Sequence, residues 1–153
     1  MADGITYGII FPFRQSTDGK FLLLSEETND EIRSNLIHLL LTRKGSRYFL
    51  PDFGTRLYDF IFEPLDGLTF DSIRTEIEDS VSKYIPNLTI QNISIEPYIN
   101  TEPSLGELPS EQFDIPVYRV PGANTEEYTA KVKIEYIDNS SAFGSREFVI
   151  INI

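Results

Sequence analysis

The chain has 153 residues, 24 of them acidic and 13 basic, and its net charge of −11 argues against nucleic-acid phosphate or an anionic membrane as its main partner. It has no cysteine and a single histidine, so disulfides, thiolate chemistry and a zinc site built on several histidines are excluded. No apolar run approaches the roughly 20 residues of a membrane span, and the N-terminus lacks the basic flank and apolar core of a signal peptide; an ordinary globular, soluble protein of one domain is expected.

In chain order, Tyr7 to Arg14 and Lys20 to Ser25 are apolar or β-rich runs. Asp18-Gly19 between them signals a hairpin, because both residues tolerate positive φ. Pro12 puts the first strand at an edge, since it has no N–H for a ladder. Thr28-Asn-Asp-Glu31 has the form of a capping box and predicts a helix through about Thr42. Ile32, Leu36, Ile37, Leu39, Leu40 and Leu41 make its buried stripe, with Arg33, Ser34 and His38 opposite. Arg43 and Lys44 suit the negative end of that helix, and Gly45 a left-handed cap.

A second helix is predicted from Arg56 to Phe62, capped by Thr55 and stopped before Pro64. A third is predicted with Thr69 as cap and Asp71 in its first turn. Phe70, Ile73, Ile77, Val81 and Tyr84 line it at steps of three and four, and Pro86 closes it. From Leu88 the period becomes two. Leu88 and Ile90 fall on one face and Ile93 and Ile95 on the other, which predicts a bulge near Gln91-Asn92. Tyr128, Ala130, Val132, Ile134 and Tyr136 alternate with polar residues in the next strand. The last, Arg146 to Ile153, is apolar on both faces: Phe148 and Ile150 on one side, Val149, Ile151 and Ile153 on the other. A strand of that kind needs cover on both faces.

Glu96 to Glu127 carries five of the nine prolines and one basic residue, Arg119; it has no sustained period and is expected to be a long loop. The organisation expected is thus an N-terminal hairpin (1–25), a helical core with the first strand (26–95), the loop (96–127) and a C-terminal hairpin (128–153). The fold class is α+β, with about three helices on one face of a small antiparallel sheet.

Catalytic chemistry finds little purchase. Asp52, Asp59, Glu63 and Asp66 lie close in sequence, and Glu63 with Asp52 or Asp59 would be the pair for glycoside cleavage. The plainer account makes Glu63 a helix end and sets Asp52 and Asp59 within reach of Arg47 and Arg56. His38 is expected as a surface residue. No serine sits in a G-x-S-x-G turn, and Gly45, Gly54 and Gly67 are isolated turn glycines. No metal or cofactor is expected. Arg43, Lys44, Arg47 and Arg56 form a positive cluster in an acidic chain. Either it docks on an acidic surface, or its charges serve the helix end and internal salt bridges. Tyr48, Phe49, Phe53, Tyr58, Phe60 and Phe62 are six aromatics in fifteen residues, more than two short turns bury; core and interface share them.

The order of these features resembles a known family: the small baseplate wedge proteins of contractile-tailed phages and related injection systems, type VI secretion included. The resemblance rests on Leu40-Leu41-Thr42, Lys44-Gly45-Ser46-Arg47, Pro51-Asp52-Phe53-Gly54, Leu57 and Phe62-Glu63-Pro64, followed by an amphipathic helix and a small sheet. It implies a structural protein and no enzyme, although members have been labelled lysozyme-like; a peptidoglycan-cleaving enzyme using Glu63 is the alternative. The partners it implies are other wedge proteins, the tail sheath protein, and the tail tube or hub. It places the protein in a virion baseplate assembled in the host cytoplasm, or in the cytoplasm for a secretion system. The family's Glu-Pro motif docks on other wedge subunits and is matched by Glu63-Pro64; many members follow it with arginine, where this chain has Leu65. The residues expected to meet partners are Arg43, Lys44, Arg47, Phe53, Glu63, Pro64, Phe148 and Ile150, the last two by strand addition at a sheet edge.

Overall fold

The computed structural model describes residues 8–11, 13–16, 21–25, 28–64, 66–98, 117–119, 129–139 and 146–153. Helix α1 (Thr28–Leu41) buries Ile32, Leu36, Ile37, Leu39 and Leu40 as their spacing predicts. Thr28 is already helical, so it is not the cap that the capping box makes it; Glu26 and Glu27 lie outside the described residues. Ser34 does not lie on a solvated face. It is buried, its hydroxyl donating to the Asp30 carbonyl at 2.7 Å and accepting the Phe11 N–H at 3.1 Å. A small hydroxyl that satisfies two backbone groups can be buried at little cost, and here it ties the N-terminal segment to α1.

Helix α2 (Leu57–Phe60) is shorter than predicted. Thr55 does not cap it; Arg56 holds the cap position without a side-chain bond. Helix α3 (Gly67–Tyr84) starts two residues before the predicted cap, so Gly67 is helical rather than a turn residue. Its cap is Asp66, whose carboxylate accepts the Thr69 N–H at 2.9 Å, while Thr69 is buried in the first turn. That bond holds the Asp66 carboxyl below its usual range, as expected for an anion at a helix N-terminus. Ile73, Ile77 and Val81 carry α3 into the core, and Ile85 closes it ahead of Pro86 by returning its N–H to Val81 at 2.8 Å.

Strands β1 (Gly8–Ile9) and β2 (Leu24–Ser25) pair antiparallel, far shorter than the predicted hairpin arms. Pro12 and the Asp18-Gly19 turn lie outside the described residues. The main sheet has the order β3 (Leu88–Tyr98), β5 (Thr129–Asp138), β6 (Arg146–Asn152), β4 (Val117–Arg119). The first three are antiparallel; β4 runs parallel to β6. The bulge falls at Gln91, where Ile90 opposes Tyr136 and Asn92 opposes Glu135. It corrects the two-face expectation. One extra residue shifts the alternation, so Leu88, Ile90, Ile93 and Ile95 oppose Asp138, Tyr136, Ile134 and Val132 on one face. Tyr128, predicted to open that alternation in β5, lies outside the described residues.

Two further expectations change. The supposed loop 96–127 contains the end of β3 and all of β4. Strand β6 therefore lies inside the sheet, between β5 and β4. Val149, Ile151 and Ile153 join the core; Ile150, on the opposite face, is buried as well. Strand β6 is thus buried on both faces at Ile150 and Ile151, while Phe148 keeps partial exposure. At the other end of the β5–β6 ladder the buried Tyr136 hydroxyl donates to Glu147 Oε2 at 3.0 Å, and burial with that carboxylate beside it raises its pKa.

Candidate functional site

The connector between α1 and α2, residues 42–56, is closed on itself by its backbone. Lys44 N–H reaches the Thr55 carbonyl and Thr55 N–H the Thr42 carbonyl, each at 2.9 Å. The buried Thr55 hydroxyl donates to the Leu40 carbonyl at 2.9 Å, which is what that residue does in place of capping α2. Gly45 takes φ +87° and gives its N–H to Pro51 at 2.7 Å. Gly54 takes φ +112°, and a Cβ there would stand 2.3 Å from the Thr42 carbonyl oxygen. Only glycine permits both that dihedral and that approach.

The staple brings Arg47 and Phe53 together. The Arg47 guanidinium carbon lies 4.0 Å from the Phe53 ring centroid, and Arg47 Nη2 is 2.9 Å from His38 Nε2. Since a guanidinium only donates, Nε2 accepts and the imidazole is neutral. His38 is stacked on Phe11 at 5.6 Å and lies 5.8 Å from Phe53, which in turn meets Tyr84 edge-on at 5.1 Å. Burial, then the Arg47 charge, lowers the His38 pKa. Thus His38 is not the solvated residue its helical position suggests. It sits one turn before Thr42, and the turn that starts at Gly45 brings Arg47 back over it; that contact has no local signal. A groove of ≈ 390 Å³ opens beside this cluster, lined by Glu31, Asn35, His38, Phe53, Tyr84 and Pro86 among others.

The other expected ion pairs are rearranged. Asp59 lies 3.7 Å from Arg43, whose guanidinium is 5.9 Å from the Tyr58 ring; Arg56 pairs with Glu76 at 3.4 Å. Glu76 also accepts the Arg56 N–H at 3.1 Å, tying α2 to α3. Lys44 is exposed. The six aromatics divide evenly: Phe53, Tyr58 and Phe60 pack against the core, whereas Tyr48, Phe49 and Phe62 stand in solvent.

Glu63 and Pro64 form an exposed turn flanked by the exposed Phe62 and Leu68; Leu65 lies outside the described residues. Asp52 and Asp59 are exposed too. A glycosidase acid is kept protonated by a desolvating pocket, and Glu63 occupies no such place. Of the two strand residues, Phe148 is half-buried with Lys133 Nζ 5.0 Å from its ring, and Ile150 is fully inside the sheet.

Phe148 and Ile150 share a backbone property. Ala130 and Ile153 exchange both N–H···O bonds, at 3.0 and 2.9 Å. In an antiparallel ladder such pairs recur every second residue, so the N–H and C=O groups of Ile151, Val149 and Glu147 turn toward β5. Those of Asn152, Ile150, Phe148 and Arg146 turn toward β4. Strand β4 reaches no further along β6 than Ile150; among the described residues, the Arg146–Phe148 edge on that side faces no strand.

Residues 26–109 match the family described as baseplate wedge protein gp25. The baseplate wedge protein gp25 of Enterobacteria phage T4 is 38% identical over 66 residues, 43% of this chain and 50% of that protein. The chain thus spans about half the length of the curated relative it matches. Among solved structures, one described as a tail lysozyme from Geobacter sulfurreducens shares the fold at 18% identity with a TM-score of 0.58, covering 86% of this chain and 93% of that one. A chain of the anti-feeding prophage baseplate is 25% identical with a TM-score of 0.54, covering 63% of this chain and 75% of that one.

Proposed function

The chain belongs to the gp25 family of baseplate wedge proteins, and we propose that it works as a structural subunit that docks on neighbouring wedge proteins and starts the tail sheath by strand addition. The observation that carries the docking half is the stapled connector. Its backbone groups are turned inward by Gly45, Gly54 and Thr55, which fixes Arg43, Lys44, Arg47 and the half-buried Phe53 without spending their side chains on the fold alone. A surface set in advance loses little entropy on binding. The Glu63-Pro64 turn, with Phe62 and Leu68 exposed beside it, offers a second contact.

The sheath half rests on β6. Arg146 and Phe148 direct backbone groups to the side of β6 on which, among the described residues, no strand lies beyond Val117. A donated strand there gains main-chain hydrogen bonds, and alternate side chains set its register. The outer edge of β3 is a poorer site, because the bulge at Gln91 and Pro97, which has no N–H, break its ladder. Ile150 takes part only if β4 yields.

The direct test adds purified chain to purified wedge subunits and sheath protein and counts sheath polymers. Seeding that requires this chain supports the assignment; equal seeding without it removes it. A peptidoglycan-cleaving role is tested in parallel. The purified chain is expected to be inert on cell-wall substrate and Glu63→Gln to impair assembly alone, whereas lysis abolished by Glu63→Gln would establish the enzyme.

A further inference from the structure

The Tyr48 and Phe49 rings contribute nothing to the packing of this chain. They are 98% and 99% exposed, their centroids are 6.3 Å apart, and Leu50 beside them is 45% exposed. Single exposed apolar side chains are ordinary, but three in succession at the tip of one connector make a patch. The tip is held from behind by the Gly45–Pro51 bond and by Phe53 N–H to the Leu50 carbonyl at 3.1 Å. Two rings presented on a fixed loop match the aromatic anchors that dominate protein interfaces.

Charge indicates the occupant. Arg43, Lys44 and Arg47 fall within five residues of one another, beside the rings, in a chain of net charge −11. Arg43 keeps 63% side-chain exposure even with Asp59 beside it. The tip is therefore a local reversal of sign on an acidic protein. Outside the tip 24 acidic residues face ten basic ones, so a second copy of the chain, or an anionic bilayer, would meet a net repulsion from the rest of the molecule.

We propose that Tyr48 and Phe49 are anchors for an apolar pocket rimmed by carboxylates on a different protein subunit, with Arg43 and Lys44 meeting the rim. The proposal rests on the chain being a baseplate subunit that docks through this connector, and it names the anchors and the chemistry of the surface they enter.

The test places a photo-crosslinking amino acid at Phe49 in the full chain, assembles particles with it, irradiates them and identifies the adduct by mass spectrometry. The expected adduct joins position 49 to one other subunit, at a peptide with Asp or Glu beside apolar residues. Tyr48→Ser/Phe49→Ser, which alters only exposed rings, keeps the melting temperature of the parent and weakens incorporation by about 30-fold or more. Lys44→Glu, which leaves the rings untouched, also weakens it and guards against a folding artefact in the double variant. An adduct between two copies of the chain overturns the proposal, as does an adduct at a peptide without carboxylates. So does the absence of any adduct from particles that contain the chain, or wild-type incorporation of the double variant. Binding of the purified chain to phosphatidylglycerol vesicles that is lost in the double variant overturns it in favour of a membrane. Particles that never contain the chain overturn the baseplate assignment instead.

Discussion

The Arg47 guanidinium carbon lies 4.0 Å from the Phe53 ring centroid while Nη2 of the same group reaches His38 Nε2 at 2.9 Å. One side chain thus holds the connector to both α1 and the aromatic cluster. Arg47→Lys keeps the charge but loses the planar fork, and is expected to cost about 0.5–1 kcal/mol of stability, near the value of a partly exposed cation–π contact. Phe53→Ala removes the shared ring and is expected to cost on the order of 2–3 kcal/mol, below the range for a fully buried phenylalanine because Phe53 is half-exposed. Urea midpoints of the two variants check this order. A larger loss for Arg47→Lys would show the ring to be incidental.

His38 makes the same cluster sensitive to acid. Its folded pKa lies below the ordinary 6.5, through burial first and the Arg47 charge second. The unfolded chain therefore binds more protons in the interval between the lowered value and 6.5. The stability due to neutral His38 is complete above 6.5 and is lost as pH falls through that interval. His38→Gln removes this component. The difference in unfolding midpoint between pH 7.5 and pH 5.5 is expected to be smaller in the variant than in the parent; an equal difference would place the acid sensitivity on the carboxylates alone.

The two left-handed glycines of the connector are expected to differ sharply. At Gly45 nothing lies within 4 Å of an added Cβ, so Gly45→Ala costs only the dihedral, about 1 kcal/mol. At Gly54 the added carbon meets the Thr42 carbonyl as well, and the strand-like bridge between Arg43 and Thr55 has to open. Gly54→Ala is expected to cost at least about 3 kcal/mol. Equal midpoints for the two variants would mean that the connector relaxes freely and is not the fixed surface described above.

Much of this was legible in the sequence. The stripe of α1, the recurrence of Ile73, Ile77 and Val81, the bulge before Asn92 and the doubly apolar β6 all follow from periodicity, because each reports burial on one face or two. Gly45 announced its own conformation. Illegible were the features set by distant partners. The cap of α3 fell on Asp66 rather than Thr69, since Thr69 could be buried once the carboxylate took its N–H. Ser34 went inside because Phe11 came to meet it. Strand β4 gave no signal, for three residues are too few to show a period, and in the sequence Pro116 and Pro121 bracket them. At the site, Arg47 and Phe53, both expected to meet partners, are in contact with each other. Their third member, His38, is a surface residue by helical position alone; the turn that starts at Gly45 brings Arg47 back over it. The aromatic surplus between Tyr48 and Phe62 was visible as a count, but not which rings would remain in solvent.

The edge of β6 yields the last prediction, which separates backbone from side chain. The Phe148 N–H turns away from β5, so Phe148→Pro removes a donor that the β5–β6 ladder does not use, and on that side no strand lies beside it among the described residues. The Val149 N–H turns toward β5, opposite Ile134, so Val149→Pro deletes a ladder bond in the middle of the sheet and is expected to cost about 3 kcal/mol or more. Phe148→Pro is expected to cost about 1–2 kcal/mol, from the lost ring and the altered φ, and to leave the chain folded. Phe148→Ala supplies the control, because it removes the same ring from under Lys133 while keeping the N–H. If a donated strand adds beside β6, sheath seeding by Phe148→Pro falls well below that of Phe148→Ala at matched stability. Equal seeding by the two would mean that the backbone of this edge is not what the sheath strand recognises.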